Sequence, residues 1–221
     1  MLLHGNPFSP FVRKVLVLAH ETGLAEQIEH RHASMTPLSP DPALTPDNPL
    51  GKIPTLVCDD GRVLYDSRVI CDFLDGLHKG PRLLPAAGPI RLDVLRRQAL
   101  ADGLMDAAVL LRYETVLRPA ALRWPEWIAG QWGKIDRAVE AMAAESVNTS
   151  IDLGTLATAC ALAYLDIRFP EHGWRQNRAD LAAWFSLLSK RAAMMATRPP
   201  TEEQEKRQRD GPRPADARWR S

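Results

Sequence analysis

The sequence lacks an excess of either charge, a long apolar run and any clustering of cysteine. Its 221 residues carry 28 Lys and Arg against 27 Asp and Glu, a formal net charge of +1, which supplies no general attraction to nucleic acid or to an anionic membrane surface. No window holds eighteen uncharged apolar residues, and the opening Met1-Leu2-Leu3-His4-Gly5-Asn6 has no basic segment followed by an apolar core. Neither a membrane span nor an export leader is expected. The three cysteines, Cys58, Cys71 and Cys160, are widely separated and form no CxxC pair. No zinc site, other metal site or disulfide framework is indicated, and buried thiols in a reducing cytoplasm are expected. A soluble cytoplasmic protein with small-molecule or protein partners remains.

What is present divides near residue 80. At 45% hydrophobic and 25% charged, the chain is long enough to bury one large core or two small ones, and the pattern favours two domains. The first four residues read as a strand, and Gly5-Asn6-Pro7 as a loop. From Pro10 to Thr22 the residues Phe11, Val12, Val15, Leu16, Leu18 and Ala19 recur at helical spacing. Ser9 is the expected N-cap, Pro10 is tolerated in the first turn and Gly23 is the stop. Residues 27–33 read as a second strand, and residues 34–48, with four prolines, as an irregular loop. A hairpin of strands 54–58 and 63–65 and a helix from Asp66 to about Leu77 complete a small α/β domain with a mixed sheet over residues 1–80.

Within that domain the stretch Asn48-Pro49-Leu50-Gly51-Lys52-Ile53-Pro54-Thr55-Leu56 is a turn delivering a strand whose first residue cannot donate a hydrogen bond. A cis Ile53-Pro54 bond there would turn the Ile53 backbone out of the sheet and leave it to pair with an extended peptide ligand; a plain loop-to-strand turn is the alternative. Residues 81–88 form a Gly- and Pro-rich linker. The remainder reads as an all-helical domain, 89–196, with helices at 89–117, 125–144, 149–168 and 180–193, the third nearly all apolar in its middle and therefore central. Residues 197–221 hold four prolines, seven basic and five acidic residues and read as a flexible tail.

Four segments, in this order and spacing, together resemble the glutathione transferase family: Ser9-Pro10-Phe11-Val12-Arg13-Lys14-Val15, similar to its serine-type active-site segment; the 48–56 loop, similar to its NPxGxxPxL loop; Tyr65-Asp66-Ser67, similar to its acid-serine turn; and Thr149-Ser150-Ile151-Asp152, similar to the capping box of its central helix. The resemblance covers about residues 1–195. It implies a thioredoxin-like α/β N-terminal domain followed by an all-α C-terminal domain, glutathione as co-substrate without a metal, and a twofold homodimer.

It also implies roles. Ser9 would donate to the glutathione thiolate, a role set against simple helix capping by the same hydroxyl. Ile53 and Pro54 would present backbone to the peptide. Ser67 and Asp66 would meet the γ-glutamyl carboxylate and ammonium, with Asp shorter by one methylene than the commoner Glu. Lys52 would either reach the glycyl carboxylate or stay solvated. Asp102 or Asp106, on the long helix, would assist the γ-glutamyl end. Phe8, Phe11, Met105, Leu110, Tyr113 and Trp124 are divided between core and a pocket for a small apolar electrophile. No cysteine lies near Ser9, which disfavours nucleophilic-cysteine chemistry. The implied activity is a glutathione transferase acting on a small hydrophobic electrophile. The alternative is a non-catalytic glutathione-binding or protein-interaction module on the same fold.

Overall fold

The structure, a computed structural model, describes residues 1–33, 35–39, 41–145 and 150–200. The N-terminal part contains β1 (Leu2–Gly5), α1 (Pro10–Glu21), β2 (Glu29–His32), β3 (Thr55–Val57), β4 (Val63–Leu64) and α2 (Ser67–Asp75). The sheet order is β2-β1-β3-β4; β1 and β2 are parallel, while β1–β3 and β3–β4 are antiparallel. The four strands and two helices form the expected mixed-sheet α/β domain. Its strands are shorter than the sequence pattern implied, and β2, exposed along its whole length, is a polar edge.

Helix α1 starts where Ser9 caps it and Pro10 opens it. Its apolar stripe, Val12, Val15, Leu18 and Ala19, is fully buried with Leu3 and Leu56 of the sheet and Ile70 and Leu74 of α2. Full burial of each large side chain stabilises by roughly 1.5–3 kcal/mol. The helix closes as Thr22 Oγ1 donates back to Leu18 O at 2.8 Å, and Gly23 takes the left-handed conformation (φ 72°) that the exit turn requires.

The C-terminal part is helical: α3 (Pro89–Arg112), α4 (Pro125–Ala144), α5 (Leu153–Arg168), α6 (Ala179–Leu188) and α7 (Ala192–Ala196). Three expectations need correction. The long helix does not run as α-helix to residue 117; it ends at Arg112 and continues as a π-helical turn, Tyr113–Leu117. The expected last helix is two, because Arg191 is extended and its guanidinium pairs with Glu21 on α1 at 2.6 and 2.7 Å, turning α7 onto the N-terminal domain. The central helix begins at Leu153, so Asp152 is the cap itself rather than the fourth residue of a box opened by Thr149, which lies outside the described residues. Asp152 Oδ1 accepts from Thr155 N at 2.8 Å, and Asp152 N donates to Thr155 Oγ1 at 2.9 Å. The reciprocal box exists, shifted by three residues.

Helix α5 is buried from Leu153 to Leu165 and lies tight against α3. A Cβ on Gly154 would come within 2.8 Å of Arg97 Cβ and 2.9 Å of Val94 O, so the crossing demands a residue without a side chain. Among the described residues no helix is long and apolar enough to cross a membrane.

The linker is tied down by one carboxylate. Asp75, fully buried at the end of α2, accepts from Leu83 N (2.8 Å), Leu84 N (3.0 Å) and Arg82 Nε (2.7 Å), and its Oδ1 lies 3.1 Å from His78 Nε2. Burial opposes its ionisation, but the bonds from Leu83, Arg82, His78 and Leu84 outweigh that and hold the carboxyl below its ordinary value. A depressed folded-state value means stability that is present above the unfolded carboxyl range and lost as pH falls through the folded one. Asp75→Asn should therefore cost about 2–4 kcal/mol near neutrality, as donors lose a charged acceptor. It should also flatten the loss of stability below about pH 4. Urea denaturation across pH checks both, and an acid limb as steep in the variant as in the parent would show that another group controls it.

Candidate functional site

The topology gathers three segments at one end of the sheet. His4 pairs with Thr55 and Leu56 with Leu64, so the turn after β1, the loop before β3 and the turn after β4 all open on the same edge. They carry, respectively, Ser9, Lys52 to Pro54, and Asp66 with Ser67.

Ser9 is half-buried at the N-terminus of α1, and its Oγ accepts from Val12 N at 3.3 Å. An N-cap serine uses an oxygen lone pair for this bond, leaving the O–H proton free to donate elsewhere. Capping and donation, which the sequence set in competition, are therefore compatible. The surrounding turn is fixed by Ser9 N donating to Asn6 O and Phe8 N to Asn6 Oδ1.

The 48–54 loop is organised by Asn48, a buried residue that the sequence reading treated only as turn-forming. Its Nδ2 donates to Lys52 O (2.9 Å) and Thr55 Oγ1 (3.0 Å), and its Oδ1 accepts from Leu50 N (3.0 Å). Gly51 takes φ 56°, and Met35 Cε lies 3.1 Å from where a Cβ would stand. Ile53-Pro54 is cis, one of the two alternatives that the motif left open. The Ile53 backbone N–H and C=O make no hydrogen bond with another described residue. Lys52 is exposed and forms no ion pair among the described residues.

At the third segment Asp66 caps α2, its Oδ1 accepting from Arg68 N at 3.0 Å. Its carboxylate remains exposed. Ser67, next to it, is buried, and its hydroxyl bonds to no other described residue. The Tyr65-Asp66 peptide is cis.

Asp102 sits differently from the other expected residues. It is 1% exposed, and both its oxygens are engaged: Oδ1 accepts from Lys14 Nζ at 2.6 Å and Oδ2 from Arg68 Nε at 2.9 Å. Lys14 itself is 0% exposed. Asp102 is thus an interdomain junction between the starts of α1 and α2, and the position facing the cleft one turn later is Asp106, which is exposed. Desolvation, then the Asp102 charge, push the Asp106 carboxyl up, while Arg68 and Lys52 pull it down. The sequence reading missed Lys14 and Arg68 although each left a signal. Lys14 falls on the apolar stripe between Phe11 and Leu18, and Arg68 is a cation in a first helical turn, where the dipole disfavours one.

Of the apolar set, Met105 is core, Phe11 packs on the core, Phe8 and Tyr113 are half-buried, and Leu110 and Trp124 are exposed. Among the described residues no group of His, Cys, Asp and Glu is arranged to hold a metal ion.

The family model described as "Glutathione S-transferase, N-terminal domain" matches residues 8–77, the span holding all three loops. The chain is 33% identical over 205 residues to the uncharacterized GST-like protein YibF of Escherichia coli (strain K12), covering 90% of this chain and 99% of that one. A crystal structure of a glutathione transferase family member from Pseudomonas fluorescens Pf-5 with bound glutathione superposes with a TM-score of 0.89 at 49% identity, over 90% of this chain and 99% of that chain. A second crystal structure from that organism, with bound S-(propanoic acid)-glutathione, gives 0.85 at 46% identity, over 91% and 100%. The chain belongs to the glutathione transferase family. The mixed sheet carrying the loops is the family's N-terminal domain, and α3 to α7 make up its helical half.

The Asp102 junction has a measurable consequence. Asp102→Ala should destabilise by about 3–5 kcal/mol, because it leaves the Lys14 ammonium buried without a partner. Adding Lys14→Met should recover much of that loss in urea denaturation, whereas strictly additive losses would show that the pair does not interact.

Proposed function

We propose that the chain is a glutathione transferase in which Ser9 donates a hydrogen bond to the glutathione thiolate. The observation carrying this reading is the Ser9 hydroxyl, which caps α1 through a lone pair and keeps its proton. A free thiol has a pKa of roughly 8.5 and only the thiolate attacks electrophiles well, so a donor beside a helix N-terminus favours the reactive form near neutrality. The relatives from Pseudomonas fluorescens, crystallised with glutathione and with S-(propanoic acid)-glutathione, support carrying glutathione over to this site.

The groups left without partners among the described residues support a place for the ligand. The Ile53 backbone would take the cysteinyl backbone in strand-like bonds. The Ser67 hydroxyl and backbone N–H would take the γ-glutamyl carboxylate, and the exposed Asp66 carboxylate its ammonium. Lys52 would take the glycyl carboxylate. Pro54 shapes the loop, and Asp102 contributes by fixing Arg68 and Lys14 rather than by touching the peptide. With an alkyl or aryl halide, the thiolate sulfur supplies the pair for the new S–C bond, the C–halogen bond breaks, and the halide leaves with its electrons. No metal takes part in this scheme. A cytoplasmic role in detoxifying such electrophiles accords with it.

In the second reading, a glutathione-binding or protein-interaction module, Ser9 does no more than cap α1 by accepting from Val12 N. Ser9→Ala separates the two. If Ser9 acts on the thiolate, the variant loses a bond to a charged group worth about 1.5–3 kcal/mol. The thiolate pKa of the complex should then rise toward the free value, and aryl-halide turnover should fall more than glutathione affinity. An unchanged pKa with an unchanged rate leaves Ser9 a cap; a parent protein that binds glutathione with neither thiolate nor turnover is the module.

A homodimer belongs to the same proposal. Most apolar residues of α3 are used inside the chain, but Ile90 and Leu92 at its start are each 68% exposed, and Val69 of α2 and Leu77 just beyond that helix are exposed as well. Pairing that covers these exposed side chains predicts, by light scattering, twice the 24.6 kDa chain mass. The single-chain mass at micromolar concentration would refute it.

A further inference from the structure

Two buried cations are neighbours in the sequence of α1, and among the described residues only one has a counter-charge. Lys14, 0% exposed, is met by Asp102. Arg13, 7% exposed, contacts α7 instead, where its Nη2 donates to Met194 O at 3.1 Å. That carbonyl is neutral, and Arg13 forms no ion pair with a described residue. Its Nε is buried and has no hydrogen-bond partner among the described residues. Burial pulls the guanidinium below its ordinary value, and the opposing pull comes from the Cys160 thiol rather than from a carboxylate. Other guanidinium groups that are largely covered, such as Arg97 and Arg178, are matched by acids. A buried charge left alone is strongly disfavoured, so the setting of Arg13 lacks an anion.

The place where Arg13 stands narrows the source of that anion. Met194 lies in the last turn of α7, so the guanidinium caps the end of the helix from which the chain leaves. Thr197 Oγ1 donates to Ala193 O at 2.8 Å and Arg198 N to Met195 O at 3.2 Å, which holds the exit against the same turn. Arg198 adds a second positive charge there. Pro199 and Pro200 are half-buried, so the chain still lies along the protein at residue 200. Next come Thr201-Glu202-Glu203-Gln204-Glu205, outside the described residues; Glu202 and Glu203 are the first acids after α7. Glu202 is four residues beyond Arg198, a span of at most about 14 Å.

We propose that the Glu202-Glu203 pair supplies the missing counter-charge, so that the start of the C-terminal segment docks on Arg13 where α7 meets α1. Arg13 N donates to Ser9 O at 3.0 Å, so this docking fastens the end of the chain to the first turn of the helix that Ser9 caps. The inference does not depend on the glutathione reading.

The test is a double-mutant cycle on the full chain, read as the unfolding equilibrium constant in urea. Glu202→Gln with Glu203→Gln should raise that constant about tenfold or more, as expected for a lost bond between charged groups. In a chain that already carries Arg13→Met, the same two changes should have no further effect. Arg13→Lys should keep part of the coupling. Glu205→Gln with Asp210→Asn removes the same charge farther along the chain and should leave the constant unchanged. If Arg13→Met does not fold, the comparison of these two tail variants decides alone. Additive losses in the cycle, or an equal loss from the Glu205 and Asp210 changes, would overturn the proposal. A parent unaffected by the Glu202 and Glu203 changes but stabilised by inorganic phosphate through Arg13 would also overturn it, assigning the guanidinium to an external anion.

Discussion

The arrangement depends on a single carboxylate placed where two domains meet. Asp102, on the helical side, accepts from Lys14 of α1 and Arg68 of α2, the helices whose N-termini carry the two serines of the site. A fully buried ammonium is tolerable only with a close counter-charge, so the requirement of Lys14 fixes α3 against α1. The same carboxylate fixes α3 against Arg68, the residue after Ser67. Relative movement of the domains would break one of these contacts, and the cost of stranding a buried charge keeps the cleft between sheet and α3 in one geometry.

From that junction the electrostatics of the cleft follow. Asp102 is neutralised by its two cations and offers little to a ligand, while Asp106, four residues on, faces the opening and feels Asp102, Arg68 and Lys52. Helix α3 thus turns an occupied acid inward and an available one outward, at the spacing of one helical turn. At its far end Arg112 reverses the sign. One helix thereby carries an acid that feels Arg68 and Lys52 and a base that acts on the Tyr113 and Tyr164 phenols.

Much of this was legible in the residues. Local signals, in which a few neighbours determine the backbone, came through: Ser9-Pro10 opening α1, Asp66-Ser67 opening α2, and the turn ending at Ile53-Pro54. Boundaries set by tertiary contact did not. The split of the last helix follows from Arg191 reaching Glu21, 170 residues away in the sequence, and no local pattern announces a distant carboxylate. The central helix starts at Leu153 because Asp152 and Thr155 satisfy each other's backbone, a choice among several Ser, Thr and Asp residues within six positions that propensity leaves open. The resemblance set Asp102 against the γ-glutamyl end, whereas in the structure its two oxygens bond Lys14 and Arg68. An acid on a long helix can face a ligand, water or a buried lysine, and only the placement of Lys14 on the apolar stripe distinguishes the third.

The chemistry of the site shows why helix N-termini suit it. A helix start leaves backbone N–H groups without partners and satisfies them with an oxygen from the cap. At α1 the cap is a hydroxyl, which accepts from Val12 N and still holds a proton. At α2 the cap is the Asp66 carboxylate, which accepts from Arg68 N through Oδ1, while Oδ2 bonds to no other described residue. Both caps keep an atom to spare after capping, and in the proposed complex the two would act with opposite sign: a donor to the thiolate, an acceptor from the ammonium. A helix-capping requirement that several small polar residues would satisfy has been met by two residue types whose spare atoms would suit, in the proposed complex, the cysteinyl thiolate and the γ-glutamyl ammonium of one peptide.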